Sequence, residues 1–289
     1  MDAVERAVKD IKNLKIQGAR GIAIAGLKAI KSVVEKDGFK NQFNRACRIL
    51  VSSRPTAVAL YNAIEKIKKE KSLEAIDKLI YYFENVGSLI AWNGYKLIKN
   101  NSTILTHCHS SSVIEIFKKA FNEGKKFTVI VTETRPLYQG EKTAKELSEA
   151  GIQVVYIDDS APSFFIKKID MLLLGVDSIR KEGIVNKIGS YMLAVMAKEN
   201  KIPVYFAGEI MKLDKRKNFI IEERNPEEIV DPKKLPKVKI ENPAFDVTNF
   251  KFVTKIITEE GLYTPKEILK LLKWTIIIVN FFWTLKIRI

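Results

Sequence analysis

Between residues 1 and 100 the apolar positions recur at helical spacing. Val4, Ala7, Val8, Ile11 and Leu14 fall three and four apart, as one face of a helix requires. After Gly18 the pattern resumes with Ile22, Ala25, Leu27, Ile30, Val33 and Val34, and similar periodicity predicts helices over 42–52, 57–69 and 73–99. No strand-like alternation interrupts them. The polar run Lys99-Asn100-Asn101-Ser102 breaks the period. A boundary is therefore expected there, between a helical N-terminal domain (1–100) and a second domain (101–289).

Beyond it the texture changes. Short apolar runs at 103–106, 127–132, 153–157, 171–175 and 203–206 are separated by helix-like stretches at 113–123, 143–150, 162–168 and 187–198. This rhythm predicts an α/β domain, a parallel sheet with helices on both faces. Runs that are apolar throughout suit strands buried on both sides. Each run stops at a polar group: Cys108, Glu133, Asp158 with Asp159, Asp177 and Glu209. Ligands of open α/β sheets bind beyond the carboxyl ends of the strands, so a thiol and several carboxylates are expected on one rim.

Composition narrows this little. A chain of 289 residues, 46% apolar and 29% charged, suits one large globular domain or two ordinary ones. Two cysteines cannot build a disulfide framework, and Met1-Asp2-Ala3-Val4-Glu5-Arg6 lacks the basic start and apolar core of a signal peptide. A cytoplasmic location is expected. The net charge of +15 is compatible with nucleic acid, an acidic partner or phosphorylated ligands. The lysines are spread in short clusters such as Lys66-Ile67-Lys68-Lys69 and Lys233-Lys234-Leu235-Pro236-Lys237, without interleaved aromatics, which favours a solvated surface over base reading. The apolar stretch from Leu271 to Ile287 is near the minimum for a membrane span, but Lys273 and Asn280 interrupt it. An interface helix or strand, or a terminus altered by a late frameshift, is preferred to an anchor.

The chemistry concentrates in Thr106-His107-Cys108-His109-Ser110, which holds both histidines and one of the cysteines. His107 and His109 could begin a zinc site, yet zinc wants three or four protein ligands and no HxxxH or CxxC spacing supplies them. Cys108 reads as a small apolar filler or as a thiolate, a proton acceptor or nucleophile whose pKa the following helix N-terminus would depress. A Cys–His dyad is disfavoured, because adjacent strand residues point apart. Cys47 lies on a helical pattern and reads as structural. Asp177 follows the most apolar run, where desolvation keeps a carboxyl protonated and fit for general-acid work, although a turn cap is the plainer alternative. Gly18-Ala19-Arg20-Gly21 and Ser53-Arg54-Pro55-Thr56 each precede a helix and could bring N–H groups and a guanidinium to a phosphate. Lys187, after Asn186 at an expected helix start, and Lys212, after Glu209, are further phosphate candidates, each with a solvated lysine as its alternative.

Several stretches occur in order: Thr106-His107-Cys108-His109-Ser110, Thr132-Glu133-Thr134-Arg135-Pro136, Gly175-Val176-Asp177-Ser178, Val185-Asn186-Lys187-Ile188-Gly189 and Asn242-Pro243-Ala244-Phe245-Asp246-Val247-Thr248. Together they resemble the family that contains the alpha, beta and delta subunits of translation initiation factor 2B and the related sugar-phosphate isomerases, over residues 10–265. Within it the chain is most similar to archaeal isomerases that convert ribose 1,5-bisphosphate to ribulose 1,5-bisphosphate in nucleoside salvage. The resemblance implies a Rossmann-like C-terminal domain after the helical one, and homo-oligomers built through it. It implies Cys108 and Asp177 as the catalytic pair, with substrate bound by Gly18, Ala19, Arg20, Arg54, Ser110, Ser111, Ser112, Asn186, Lys187 and Lys212. The isomerases usually read Arg-Gly-Ala-Gly where this chain has Gln17-Gly18-Ala19-Arg20, and often carry lysine where Ser111 stands. These departures bear on the substrate more than on the chemistry. The expected reaction is an aldose–ketose isomerisation in which Cys108 as thiolate takes the C2 proton and protonated Asp177 assists ring opening. It needs no metal or redox cofactor. The expected partner is a phosphorylated pentose, not nucleic acid or a membrane. Regulatory relatives commonly lack the cysteine, so its presence favours an enzyme. The alternatives are a non-catalytic regulator docking on the initiation factor 2 alpha subunit, and a methylthioribose-1-phosphate isomerase with room for a thiomethyl group in place of a second phosphate.

Overall fold

A computed structural model describes residues 2–274, apart from Leu14, Gln17 and Asn218. Leu14 of the first periodic run, Gln17 of the first glycine turn and the apolar stretch from residue 275 onward lie outside the described residues. Among those described, no helix is long and apolar enough to cross a membrane.

The periodic N-terminal segments form helices α1 (Asp2–Lys12), α2 (Ala19–Asp37), α3 (Asn41–Ser53), α4 (Val58–Glu70) and α5 (Leu73–Gly94). Their apolar stripes meet in a core of Val4, Ile11, Leu27, Ile30, Phe43, Leu50, Leu60, Ile64 and Phe83, with Cys47 buried among them. The start of α5 is capped by the Ser72 hydroxyl, which accepts from the Ala75 N–H at 3.0 Å. The far half of α5 turns elsewhere: Val86, Ile90 and Ala91 pack with Ile116 and Phe117 against the sheet.

The sheet is built from β1 (Ser102–Thr106), α6 (Ser111–Asn122), β2 (Phe127–Thr132), α7 (Gln139–Glu149), β3 (Gln153–Ile157), α8 (Pro162–Phe165) and β4 (Met171–Gly175). After β5 (Ser178–Arg180), β6 (Gly183–Lys187), α9 (Ser190–Glu199), β7 (Val204–Ala207) and β8 (Phe245–Thr248), it is completed by β9 (Lys255–Thr258) and β10 (Gly261–Tyr263), and α10 (Pro265–Trp274) follows. Among the described residues the order is β10-β9-β7-β4-β1-β2-β3, parallel except for the antiparallel edge strand β10. Leu173 of β4 faces the α5–α6 side, whereas Leu172 and Leu174 face the α9–α10 side. Both faces are therefore covered, which is why these strands read as continuous apolar runs.

One expectation fails here. The stretch 187–198 is not a helix from its start: Lys187 ends strand β6, and α9 begins only at Ser190. Strand β6 is buried throughout and pairs antiparallel with β5 and β8 in a second sheet. Burial on both sides removed the alternation that would have marked it as a strand.

Strand order reverses at β1, whose neighbours are β2 and β4. The crevice of such a sheet opens at that switch point. Cys108 lies two residues past β1 and Asp177 two past β4.

A close helix junction holds the helical region over this crevice. Arg20 of α2 donates to Glu115 of α6 at 2.7 Å and to the Ser112 hydroxyl at 2.9 Å. Gly87 of α5 leaves the space: a Cβ there would lie 1.7 Å from Glu115 Oε2 and 2.3 Å from Arg20 Nη1. Alanine in a helix is favoured over glycine by about 0.5–1 kcal/mol, but such overpacking costs about 1–3 kcal/mol. Gly87→Ala should thus destabilise the protein by about 1 kcal/mol or more. The check is a lowered denaturant midpoint at constant slope; an unchanged or raised midpoint would contradict this packing.

Candidate active site

The turn after β1 presents the thiol. Cys108 adopts φ +66°, uncommon for a residue with a side chain, and neighbouring loops hold it there. Its N–H donates to Thr134 Oγ1 at 2.8 Å, and its carbonyl accepts from Thr143 Oγ1 at 2.9 Å. Thr134 is fixed in turn by Asp159, whose carboxylate accepts from the N–H groups of Thr134 at 2.8 Å and Arg135 at 2.7 Å. Asp158 accepts from the Ser160 N–H at 2.7 Å. These two run-end carboxylates shape loops.

Both histidines are neutral supports. Nε2 of His107 lies 2.8 Å from the Ile188 carbonyl, which can only accept, so Nε2 carries the proton and Nδ1 accepts from Thr132 Oγ1 at 2.6 Å. Burial lowers its pKa. His109 Nδ1 meets Thr143 Oγ1 at 3.2 Å, and burial pushes this ring down to about 4. Among the described residues, no group of three His, Cys, Asp or Glu is placed to hold a metal ion.

The thiol corrects a second expectation. Cys108 Sγ donates to Gln139 Oε1 at 3.5 Å. Burial pushes its pKa up to about 12, although the Lys187 ammonium and the His109 N–H pull it down. Desolvation outweighs the helix N-terminus, which begins only at Ser111.

On the opposite wall, the Asp177 N–H donates to the Val185 carbonyl at 2.9 Å, while its carboxyl forms no hydrogen bond among the described residues. Burial raises its pKa against the pull of Lys212, Arg54 and Lys187, and Glu209 raises it further. Gly175, ending β4, lets the walls close: a Cβ there would lie 2.7 Å from Ser110 Oγ and 3.6 Å from Asn186 Oδ1. Asn186 donates to Ser190 Oγ at 2.9 Å.

Lys187 is only 5% exposed and forms no ion pair or hydrogen bond among the described residues. Lys212, buried as well, lies 3.3 Å from Glu209 Oε2. Its turn is held from α4, where Asn62 Nδ2 donates to the carbonyls of Met211 and Leu213, both at 2.8 Å. Arg54 lies 3.9 Å from Glu222. Ser110 caps α6 without a side-chain bond, no hydrogen bond from the N–H groups of Ser111, Ser112 and Val113 is found among the described residues, and Arg20, paired with Glu115, sits beside Ser112. The crevice thus gathers Cys108, Ser110, Asp177, Asn186, Lys187, Lys212 and Arg54. Ser111 and Ser112 open α6 just beyond it, and Gly18 and Ala19, at the start of α2, are followed by Arg20, which bonds to that end through Ser112 and Glu115.

Residues 15–265 match the model of the initiation factor 2 subunit family. The chain belongs to this family. The ribose 1,5-bisphosphate isomerase of Methanocaldococcus jannaschii is 40% identical over 98% of this chain and 97% of its own. The methylthioribose-1-phosphate isomerase of Acetivibrio thermocellus is 38% identical over 88% of this chain and 86% of its own. Among solved structures, the Pyrococcus horikoshii translation initiation factor eIF-2B superposes with a TM-score of 0.81 at 31% identity, covering 91% of this chain and 97% of that one. The 5-methylthioribose 1-phosphate isomerase of the same organism gives 0.74 at 31% identity, covering 93% and 87%.

Within this family frame, Gln139 and Thr143 escaped sequence reading. They sit on the helix-like pattern of α7, which carries no sign that its start meets the thiol. The charge state of Cys108 is directly testable. Alkylation of Cys108 by iodoacetamide, resolved from Cys47 by mass spectrometry, should still accelerate above pH 9, the ordinary thiol value. Lys187→Met should slow it at fixed pH by removing the cation that favours the thiolate. A rate that levels off below pH 9 would show an ionised sulfur in the empty cleft.

Proposed function

We propose that this enzyme, a sugar-phosphate isomerase, converts ribose 1,5-bisphosphate to ribulose 1,5-bisphosphate. The observation that carries the reading is a thiol and a carboxyl that burial makes harder to ionise, on facing walls of one crevice and flanked by two groups of anion-binding candidates. Lys187, Lys212 and Arg54 form one group. The N-terminus of α6 with Arg20 forms the other. The names of the similar isomerases support the substrate class.

The proton inventory closes with these two groups. The C2–H bond breaks toward the Cys108 sulfur as the C1–O4 ring bond breaks and Asp177 gives its proton to O4. An enol results, with the phosphate still on C1. Cys108 then returns its proton to C1 while Asp177 takes the proton of O2, and the ketone forms. The sequence needs sulfur ionised and carboxyl protonated, the less populated state of the empty cleft. A thiolate of high pKa is scarce but strongly basic, which suits abstraction from carbon. Lys187 and the His109 N–H stabilise it, and the fixed cations stabilise charge developing on the enol oxygen. We also infer a homo-oligomer through the C-terminal domain, where Phe164 and Met192 expose 83% and 54% of their surface.

Turnover in D2O should wash deuterium into the product at C1. Cys108→Ser and Asp177→Asn should each lower kcat by about 10² or more in folded protein. Near wild-type rates in either would overturn the mechanism. Preference for methylthioribose 1-phosphate over the bisphosphate would shift the substrate reading to the monophosphate. The likeness to the Pyrococcus horikoshii factor favours one other reading, a regulator of translation. Failure of the wild type on both sugars, with capture of the initiation factor 2 alpha subunit, would support it.

A further inference from the structure

Behind Lys212 lies a row of buried acids that the proton transfers above do not use. Glu209, two residues past β7, has no exposed surface, and neither of its carboxylate oxygens accepts a hydrogen bond among the described residues. The Lys212 ammonium, 3.3 Å from Oε2, is its ion-pair partner among the described residues. A carboxylate sealed from water is tolerated only where a countercharge compensates it. Lys212 in turn lies along the catalytic wall: a Cβ on Gly208 would come 2.8 Å from Val176 Cβ and 3.4 Å from Lys212 Cδ. The lysine stem and Val176, the residue before Asp177, therefore both lie against Gly208.

We propose that Glu209 is a positioning residue for the isomerisation: it fixes the Lys212 ammonium at the cleft wall and offsets its charge, so that Asp177 remains an acid while Lys212 faces a phosphate. This rests on the sugar-phosphate reading of the site. The groups that face Asp177 come from several elements. Lys212 follows β7, Lys187 ends β6 and Arg54 follows α3, and all three favour the ionised carboxyl. Glu209 is the acid that opposes them. On its far side stand Tyr82 of α5 and Glu259 after β9. Glu259 accepts from the Tyr82 hydroxyl and from the Ile210 N–H, and burial pushes it up to about 7. Glu260 acts on Tyr82 from the same turn. With Glu259 occupied by Tyr82 and Ile210, compensation of Lys212 falls to Glu209.

The test compares Glu209→Gln, which keeps the shape and removes the charge, with Glu209→Asp, which keeps the charge. The full-length protein carries 13C-labelled aspartate, and the Asp177 carboxyl is assigned by Asp177→Asn and titrated by NMR. In Glu209→Gln its midpoint should fall by about one pH unit, whereas Glu209→Asp should leave it near the wild-type value. With ribose 1,5-bisphosphate, assayed at a pH well above that midpoint, a fall of one unit thins the protonated carboxyl about tenfold, and kcat should drop by about that factor. KM should rise as Lys212 loses its anchor, and Glu209→Asp should recover most of kcat. An unmoved midpoint in folded Glu209→Gln overturns the proposal, whatever happens to the rate. Lys212→Met provides a second arm if Glu209→Gln does not fold: with Glu209 unopposed, the midpoint should rise, and a constant midpoint there is equally fatal. The titration needs no substrate. A moved midpoint in a protein that ignores the bisphosphate would thus discard the substrate reading and keep the role of Glu209 in setting Asp177.

Discussion

The ammonium of Lys187 acts on the crevice from a side chain almost entirely shielded from water, and it forms no ion pair among the described residues. A charge in that state is costly unless something compensates it, and the surrounding groups are arranged around that deficit. It acts on the Cys108 sulfur and the Asp177 carboxyl alike, drawing both toward the ionised form, while burial drives both the other way. Burial and the cation thus pull against each other at both acids, and an anion entering the crevice would compensate Lys187.

The fold makes this state possible by keeping water out from both sides. Strand β4 is buried on both faces; just past its end Val176 is buried and Asp177 half-buried. The helical region closes the remaining side. Asn62 of α4 holds the Lys212 turn, and Arg216 donates to the Pro55 carbonyl at 2.7 Å, beside Arg54. Glu115 and Ser112 hold Arg20 at the start of α6, an approach that Gly87 permits. The helices thus supply cations and positions to a crevice whose thiol and carboxyl come from strand ends.

The histidines beside Cys108 illustrate how neighbours in sequence divide their tasks. Hydrogen bonds to Ile188 and to the threonines of β2 and α7 consume the ring nitrogens that are engaged, and burial keeps both rings neutral. They stiffen the turn that gives Cys108 its left-handed backbone. Such a backbone persists in a residue with a side chain only when its surroundings over-determine it. Here Thr134, Thr143 and Asp159 do so.

Much of this was legible from the chain alone. Apolar periodicity sets the N-terminal helices, because a helix that must bury one face repeats every three or four residues. Unbroken apolar runs set the parallel strands, and the polar residues at the run ends, Cys108 and Asp177 among them, lie at the carboxyl ends of the strands. Lys187 and Lys212 stand out separately, as phosphate candidates after Asn186 and Glu209. What sequence could not decide depends on contacts between distant segments. Strand β6 lost its signature because it is buried on both sides, so Lys187 was assigned to a helix start. The acidity of Cys108 followed local logic in sequence and reversed in the fold, because desolvation is set by everything packed around the sulfur, while the helix N-terminus acts only along one short direction. Glu209 was one polar residue among several at strand ends until tertiary packing sealed it behind Lys212. Periodicity encodes which face is buried; only the assembled chain decides how dry a given charge becomes and which partner, if any, it meets there.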